Sequence, residues 1–303
     1  MKSAFGYLRL MRPANIITAI ADILLGFAAS GAAVYLYSGQ EGQISQSLIN
    51  NLILLILSTI GLYGGGVVFN DVFDAELDRL ERPERPIPSG LISLWNAGLL
   101  GALLLTIGVT AAFFVNLQCA AIAITIATLA LVYDAFSKHH PFFGPLNMGA
   151  CRGFNVLLGI SIIPEALNSL WFLAFIPITY IGAITMISQG EVHGGNNTNL
   201  KIAIVLYTVV IVYICFLALV PDFRIWDTLP FLFFFCYIIF PPLLKAHKSP
   251  VPANIRKAVK AGIIALIVMD ASIASGFAGW QLGILILILL PISIYIGKKF
   301  AVT

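Results

Sequence analysis

Charged residues make up only 10% of this 303-residue chain, against 59% apolar residues. That shortage excludes an ordinary soluble domain, in which about a quarter of the residues carry charge. Cysteine is sparse as well. Cys119, Cys151, Cys215 and Cys236 all fall inside apolar runs, with no CxxC pair and no neighbouring histidine. Neither a disulfide framework nor a zinc site follows from them; they read as small buried hydrophobes. A formal net charge of +3 gives no footing for a nucleic-acid partner. No polar stretch is long enough to fold as a separate soluble domain, so residues 1–303 are expected to form a single integral membrane domain.

Apolar runs are what the chain has in quantity. A spanning helix needs ~20 largely apolar residues, because every backbone amide must be paired within the segment when no water is present. Such runs occur near 14–37, 48–69, 93–115, 117–136, 146–163, 168–187, 201–220, 227–244, 258–276 and 281–297. The expectation is an all-α, polytopic transmembrane bundle of nine or ten helices. The uncertain pair is the last, where Gly276, Gly279 and Gln281 interrupt the pattern. The first run carries Asp22 and exceeds a secretory h-region in length, so it reads as a retained helix rather than a leader. With the N-terminus placed inside, fifteen of the 17 Lys and Arg fall on the inner side, Arg224 falls outside and Arg152 lies within a span. The positive-inside rule therefore predicts a multi-pass protein of the cell membrane with its N-terminus and polar loops cytoplasmic. Two of those loops, 70–91 and 188–200, are long and polar.

The first begins NDVFDAELDRLERPERPIPSG. Asp71, Asp74 and Asp78 are three and four residues apart, and with Asn70 they share one face if the segment is helical. Carboxylates so concentrated repel one another, and a divalent cation offsets that most simply. Mg²⁺ takes hard oxygen ligands and is usually held by one or two carboxylates plus substrate phosphates. Arg79, Arg82 and Arg85 follow at once, and guanidinium groups match phosphate oxygens through paired hydrogen bonds. Acid, metal and arginine together predict a diphosphate ligand.

NDxxDxxxD followed by PxRPIPSG resembles the first aspartate-rich signature of the UbiA prenyltransferase superfamily. Arg12, Pro13 and Asn15 are similar to that family's RPxN entry to its first helix. Tyr133, Lys138, Gly144 and Asn147, in YDAFSKHHPFFGPLNMG, are similar to its Tyr-to-Lys segment. The resemblance covers about residues 8–200 and implies a UbiA-like bundle. It also implies a polyprenyl diphosphate bound by Asn70, Arg79, Arg12 and Asn15, with Mg²⁺ on Asp71, Asp74 and Asp78. Lys138, Tyr133 and Arg85 would assist departure of the diphosphate. Lys138 reads equally as a topology signal, and His139 and His140 mark a wet loop. Phe142, Phe143 and Phe154 either face a carbocation or lie in lipid or core. Asp22 faces a polar cavity or pairs with Arg152.

The second signature departs from the family pattern. Where the family carries DxxDxxGD, this chain reads SQGEVHGG, so Ser188, Glu191 and Gly195 replace three aspartates. Glu191 is the remaining candidate metal ligand there, with His193, Asn196 and Asn197 as neutral neighbours. Two functions stay open. One is a prenyltransferase acting on an aromatic or lipid acceptor at the membrane. The other is a non-catalytic UbiA-like protein, resembling those named EboC, that binds or helps export a prenylated or aromatic precursor.

Overall fold

The computed structural model describes residues 2–37, 42–138, 140–191, 194 and 197–300. Among them there is no strand; the helices are α1 (Lys2–Met11), α2 (Pro13–Ala29), α3 (Ala32–Tyr37), α4 (Gly42–Phe73), α5 (Ala75–Glu81), α6 (Leu94–Phe113), α7 (Leu117–Val132), α8 (Phe143–Ile160), α9 (Leu167–Leu170), α10 (Phe175–Ser188), α11 (Asn197–Phe216), α12 (Ile225–Lys248), α13 (Pro252–Ala278), α14 (Trp280–Leu287) and α15 (Leu289–Phe300). Eight stretches among the described residues are long and apolar enough to cross a membrane, or nine with the pair Phe5–Met11 and Pro13–Ala29, which bends by 48°. The fold is the expected polytopic helical bundle.

One helix departs from the apolar pattern for a physical reason. α8 lies where the 146–163 span was expected, yet it carries Asn147, Arg152 and Asn155, all buried. Polar side chains of this kind in a bundle face its interior, where they find partners. α2, α8 and α13 form the middle of the molecule. α2 packs on both α8 and α13, and α13 is the most buried of the long apolar helices. The α2–α8 crossing is set by two glycines. A Cβ at Gly26 would stand 2.4 Å from the Val156 carbonyl oxygen, and one at Gly159 would stand 2.6 Å from the Ile23 carbonyl oxygen. Only bare backbones approach so closely.

Two local breaks serve the site. Arg12 sits between α1 and α2 with φ 46°, in the left-handed region, and Pro13 starts α2. A non-glycine residue held there is unusual and points to a local constraint. The second break follows α7, where Tyr133–Ser137 form a π turn closed by the Lys138 amide donating to the Tyr133 carbonyl at 2.9 Å. Such i→i+5 turns concentrate at functional sites because they rotate the following side chains off the α-helical register.

Candidate active site

The acidic segment is not one continuous helix. α4 ends at Phe73, Asp74 occupies the junction and α5 begins at Ala75. Asp71 therefore closes a long spanning helix, whereas Asp78 sits on a short helix over the membrane edge. Each of the three carboxylates already holds a cation. Asp71 pairs with Arg12 and with Arg85 Nη1 at 3.3 Å; Asp78 pairs with Arg85 Nη1 at 2.6 Å; Asp74 pairs with Lys138. Three segments distant in sequence meet here because opposite charges at a low-dielectric edge attract strongly.

These groups open into a cavity of about 540 Å³. Its polar mouth has Arg12, Asn15, Asn70, Asp74, Asp78, Arg82, Arg85 and Lys138; its deeper wall has Leu62, Ile126, Ala130, Ile181, Ile184 and Leu266. Tyr133 joins the lining from the π turn, and the buried Asp134 beside it accepts a hydrogen bond from Asn70 Nδ2 at 2.8 Å. The N-terminus of α8 closes on this turn. The Asn147 amide lies 3.2 Å from the Ser137 hydroxyl, and a Cβ at Gly144 would stand 3.1 Å from the Ser137 carbonyl oxygen.

Several residues sit elsewhere than expected. Asp71 lies just behind the lining, where it holds Arg12 and Arg85 in place. Arg79 is turned outward; it is 60% exposed and pairs with Glu76 at 2.8 Å, three residues away on the same helix. Phe142 and Phe143 are exposed, and neither they nor Phe154 line the cavity. Asp22 takes the second of its two readings, accepting from Arg152 Nη1 at 2.6 Å. Arg152 itself reaches the lining with Thr18 and Tyr63. Glu191 is partly buried near Arg82 and Arg256 but does not line the cavity; burial lifts its carboxyl above the usual 4.5, partly opposed by those two arginines. His139, His193, Gly195 and Asn196 fall outside the described residues.

Sequence reasoning passed over Asp134, Tyr63 and Asp270. Asp134 stood within the quoted YDAFSK segment, and Asp270 is an acid inside an apolar run, the same signal that drew attention to Asp22.

Among the described residues no three His, Cys, Asp or Glu side chains converge as a ready-made metal cage. Asp74 and Asp78 are nonetheless two oxygen donors facing the cavity, and Mg²⁺ commonly takes one or two carboxylates and completes its shell with water and phosphate oxygens. Buried Arg85 Nε has no partner, and an unpaired buried donor is costly unless a ligand oxygen reaches it. The residues fit a metal-bearing diphosphate.

The model of the UbiA prenyltransferase family matches residues 24–258. Among curated relatives, the digeranylgeranylglyceryl phosphate synthase of Methanoregula boonei is 30% identical, over 69% of this chain and 72% of its own length. That of Methanococcoides burtonii is 34% identical, over 53% of this chain and 56% of its own. The match thus spans from about half to about three-quarters of these relatives. A solved structure concerned with digeranylgeranylglyceryl phosphate synthase aligns with a TM-score of 0.67 at 22% identity, covering 92% of this chain and 99% of the other. A UbiA homologue from Archaeoglobus fulgidus bound to DMAPP and Mg²⁺ aligns at 0.61 and 17% identity, covering 91% and 99%. These likenesses show a shared fold.

Proposed function

This chain belongs to the UbiA prenyltransferase family, and we propose that it moves a prenyl group from a polyprenyl diphosphate to a membrane-borne acceptor in an Mg²⁺-dependent reaction. The observation that carries this reading is the cavity itself, with cations and the carboxylates of Asp74 and Asp78 at its mouth and an apolar wall behind them. A diphosphate head and an isoprenoid tail need that polarity gradient.

Asp74 and Asp78 would hold the metal, and Asp71 fixes Arg12 and Arg85 from behind. Arg12, Arg82, Arg85 and Lys138 take the phosphate oxygens, Arg85 through its unpaired Nε. When bound, Mg²⁺ neutralises charge on the diphosphate and eases its departure. As the C–O bond to the diphosphate breaks, the preplaced arginines and Lys138 stabilise the leaving charge without reorganising. The apolar wall keeps water from the allylic carbon, and the Tyr133 ring offers it a negative π-face. Among acceptors, the relatives' names favour a glycerol-lipid hydroxyl over an aromatic ring. The basic residues around the mouth favour a cytoplasmic site.

The second reading, a protein that binds or helps export such a molecule without turnover, draws on Glu191. It is the one acid left in the second loop and stands outside the cavity lining. Titration calorimetry of the protein in nanodiscs with geranylgeranyl diphosphate tests the shared site. Mg²⁺-dependent binding is expected in the native chain and a loss of at least tenfold in Asp74→Ala, equal to about 1.4 kcal/mol. Unchanged binding in that variant would refute the assignment.

A further inference from the structure

A second group of charges lies inside the bundle, one side chain behind the cavity wall. Asp22 on α2 and Asp270 on α13 are both 0% exposed. Arg152 on α8 donates to Asp22 Oδ2 at 2.6 Å and also bonds Thr18 Oγ1. Asn155 Nδ2 donates to the same Asp22 oxygen at 2.9 Å, and its own Oδ1 accepts from Thr59 at 2.8 Å. The guanidinium lies 5.1 Å from the centre of the Tyr63 ring. Asp22 Oδ2 is thus fully used, while the other oxygen is not.

The partnerless atoms are the informative ones. Among the described residues, the buried side-chain atoms without a hydrogen-bond partner are eight, and four of them belong to this cluster: Asp22 Oδ1, both oxygens of Asp270 and the Tyr63 hydroxyl. α2, which carries Asp22, packs on α13, which carries Asp270, and the two buried carboxyl groups influence each other's charge. Two ionised carboxylates buried in the membrane interior, with one guanidinium bonded to Asp22 alone of the two, would leave one negative charge buried and unpaired, at a cost of several kcal/mol. One proton removes it. A protonated Asp270 donates to Asp22 Oδ1, giving both carboxyl groups a partner and the cluster a net charge of zero. The other titratable groups facing the pair are Tyr63 on α4 and Tyr180 on α10. Neither brings a second cation.

We propose that Asp22 and Asp270 form an intramembrane site that binds a single proton, counterbalanced by Arg152, which reaches from this pair into the cavity lining. The site stands independently of the diphosphate-binding residues, which lie at the mouth. Its ligand is the smallest cation, and the role of Arg152 is to hold one carboxylate ionised so that the other carries the proton.

Infrared spectroscopy of the whole protein in nanodiscs tests this directly. A protonated-carboxyl C=O stretch is expected in the native chain, persisting at pH values where exposed carboxylates are ionised and unaffected by replacing Na⁺ with a bulky organic cation. Asp270→Asn is expected to lose that band while keeping a native melting temperature, because an amide can donate to Asp22 Oδ1 in place of the carboxyl proton. Asp22→Asn is expected to melt lower, since it strips Arg152 of its counterion. If Asp270→Asn does not fold, the native spectrum alone decides. Disappearance of the band near neutral pH, its absence altogether, its survival in Asp270→Asn, or a stability that requires Na⁺ would each overturn the proposal.

Discussion

At the scale of single residues, the site is a set of exchanges waiting for a ligand. Asp74 and Lys138 hold each other, as do Asp71 and Arg12, so a metal-bearing diphosphate has only to substitute one ionic partner for another. The identity of the mouth residues was legible because aspartates at three- and four-residue spacing followed by arginines are chemically distinctive. Their directions were not. Arg79 reads like Arg82 and Arg85 in sequence, yet an acid three residues earlier on α5 draws it outward. Glu191 illustrates a charge whose surroundings decide its behaviour. Burial raises its carboxyl above the ordinary value of 4.5, so the folded state binds that proton more tightly than the unfolded chain does. The stabilisation is complete below about pH 4.5 and is lost as pH rises through the folded-state value. Glu191→Gln should therefore flatten the decline of melting temperature above about pH 4.5 relative to the native protein. An identical pH profile for the two would contradict that account.

At the scale of elements, hydropathy marked the spans but not the irregularities between them. The run 48–69 became a helix extending to Phe73 because Asp71 near its polar end is buried and paired with Arg12 and Arg85. The π turn after α7 left no sequence trace, since its i→i+5 bond is a property of backbone geometry. It matters because Tyr133, Asp134 and Lys138 all reach the lining together. Removing Phe136, an 82% exposed residue of this turn, should restore α-helical register and rotate Lys138 by about 100° away from Asp74. Mg²⁺-dependent diphosphate binding should fall while thermal stability is retained; intact binding would show that the turn is dispensable. The α2–α8 crossing makes the complementary point about packing. Gly26→Ala places a methyl group against the Val156 carbonyl, backbone that has no rotamer to move. A loss of about 1–3 kcal/mol is expected, read as a lower melting temperature in lipid nanodiscs.

At the scale of the whole molecule, the family and the bundle were readable from composition and three short motifs, and the final third of the chain, after residue 200, contributed least to that reading. Its contribution is structural. α13 supplies Ile263 and Leu266 to the cavity and Asp270 to the cluster behind it, and the local sequence signals this only through one acid in an apolar run. The cavity is assembled from α2, α4, α5, α7, α8, α10 and α13, so a contact set drawn from seven helices determines the substrate path, and single-sequence periodicity cannot show which faces of those helices meet. Among the described residues, the second loop adds nothing to the cavity lining, and its one acid, Glu191, stands outside it. The most direct measurement is diphosphate release by the purified protein in nanodiscs, with Mg²⁺, geranylgeranyl diphosphate and either a glycerol-lipid or an aromatic acceptor. Release that requires Mg²⁺ and the glycerol-lipid acceptor, and that disappears in Asp74→Ala, is the predicted result. Tight Mg²⁺-dependent binding with no release under any acceptor would contradict the transferase and leave a binding protein built on the same cavity.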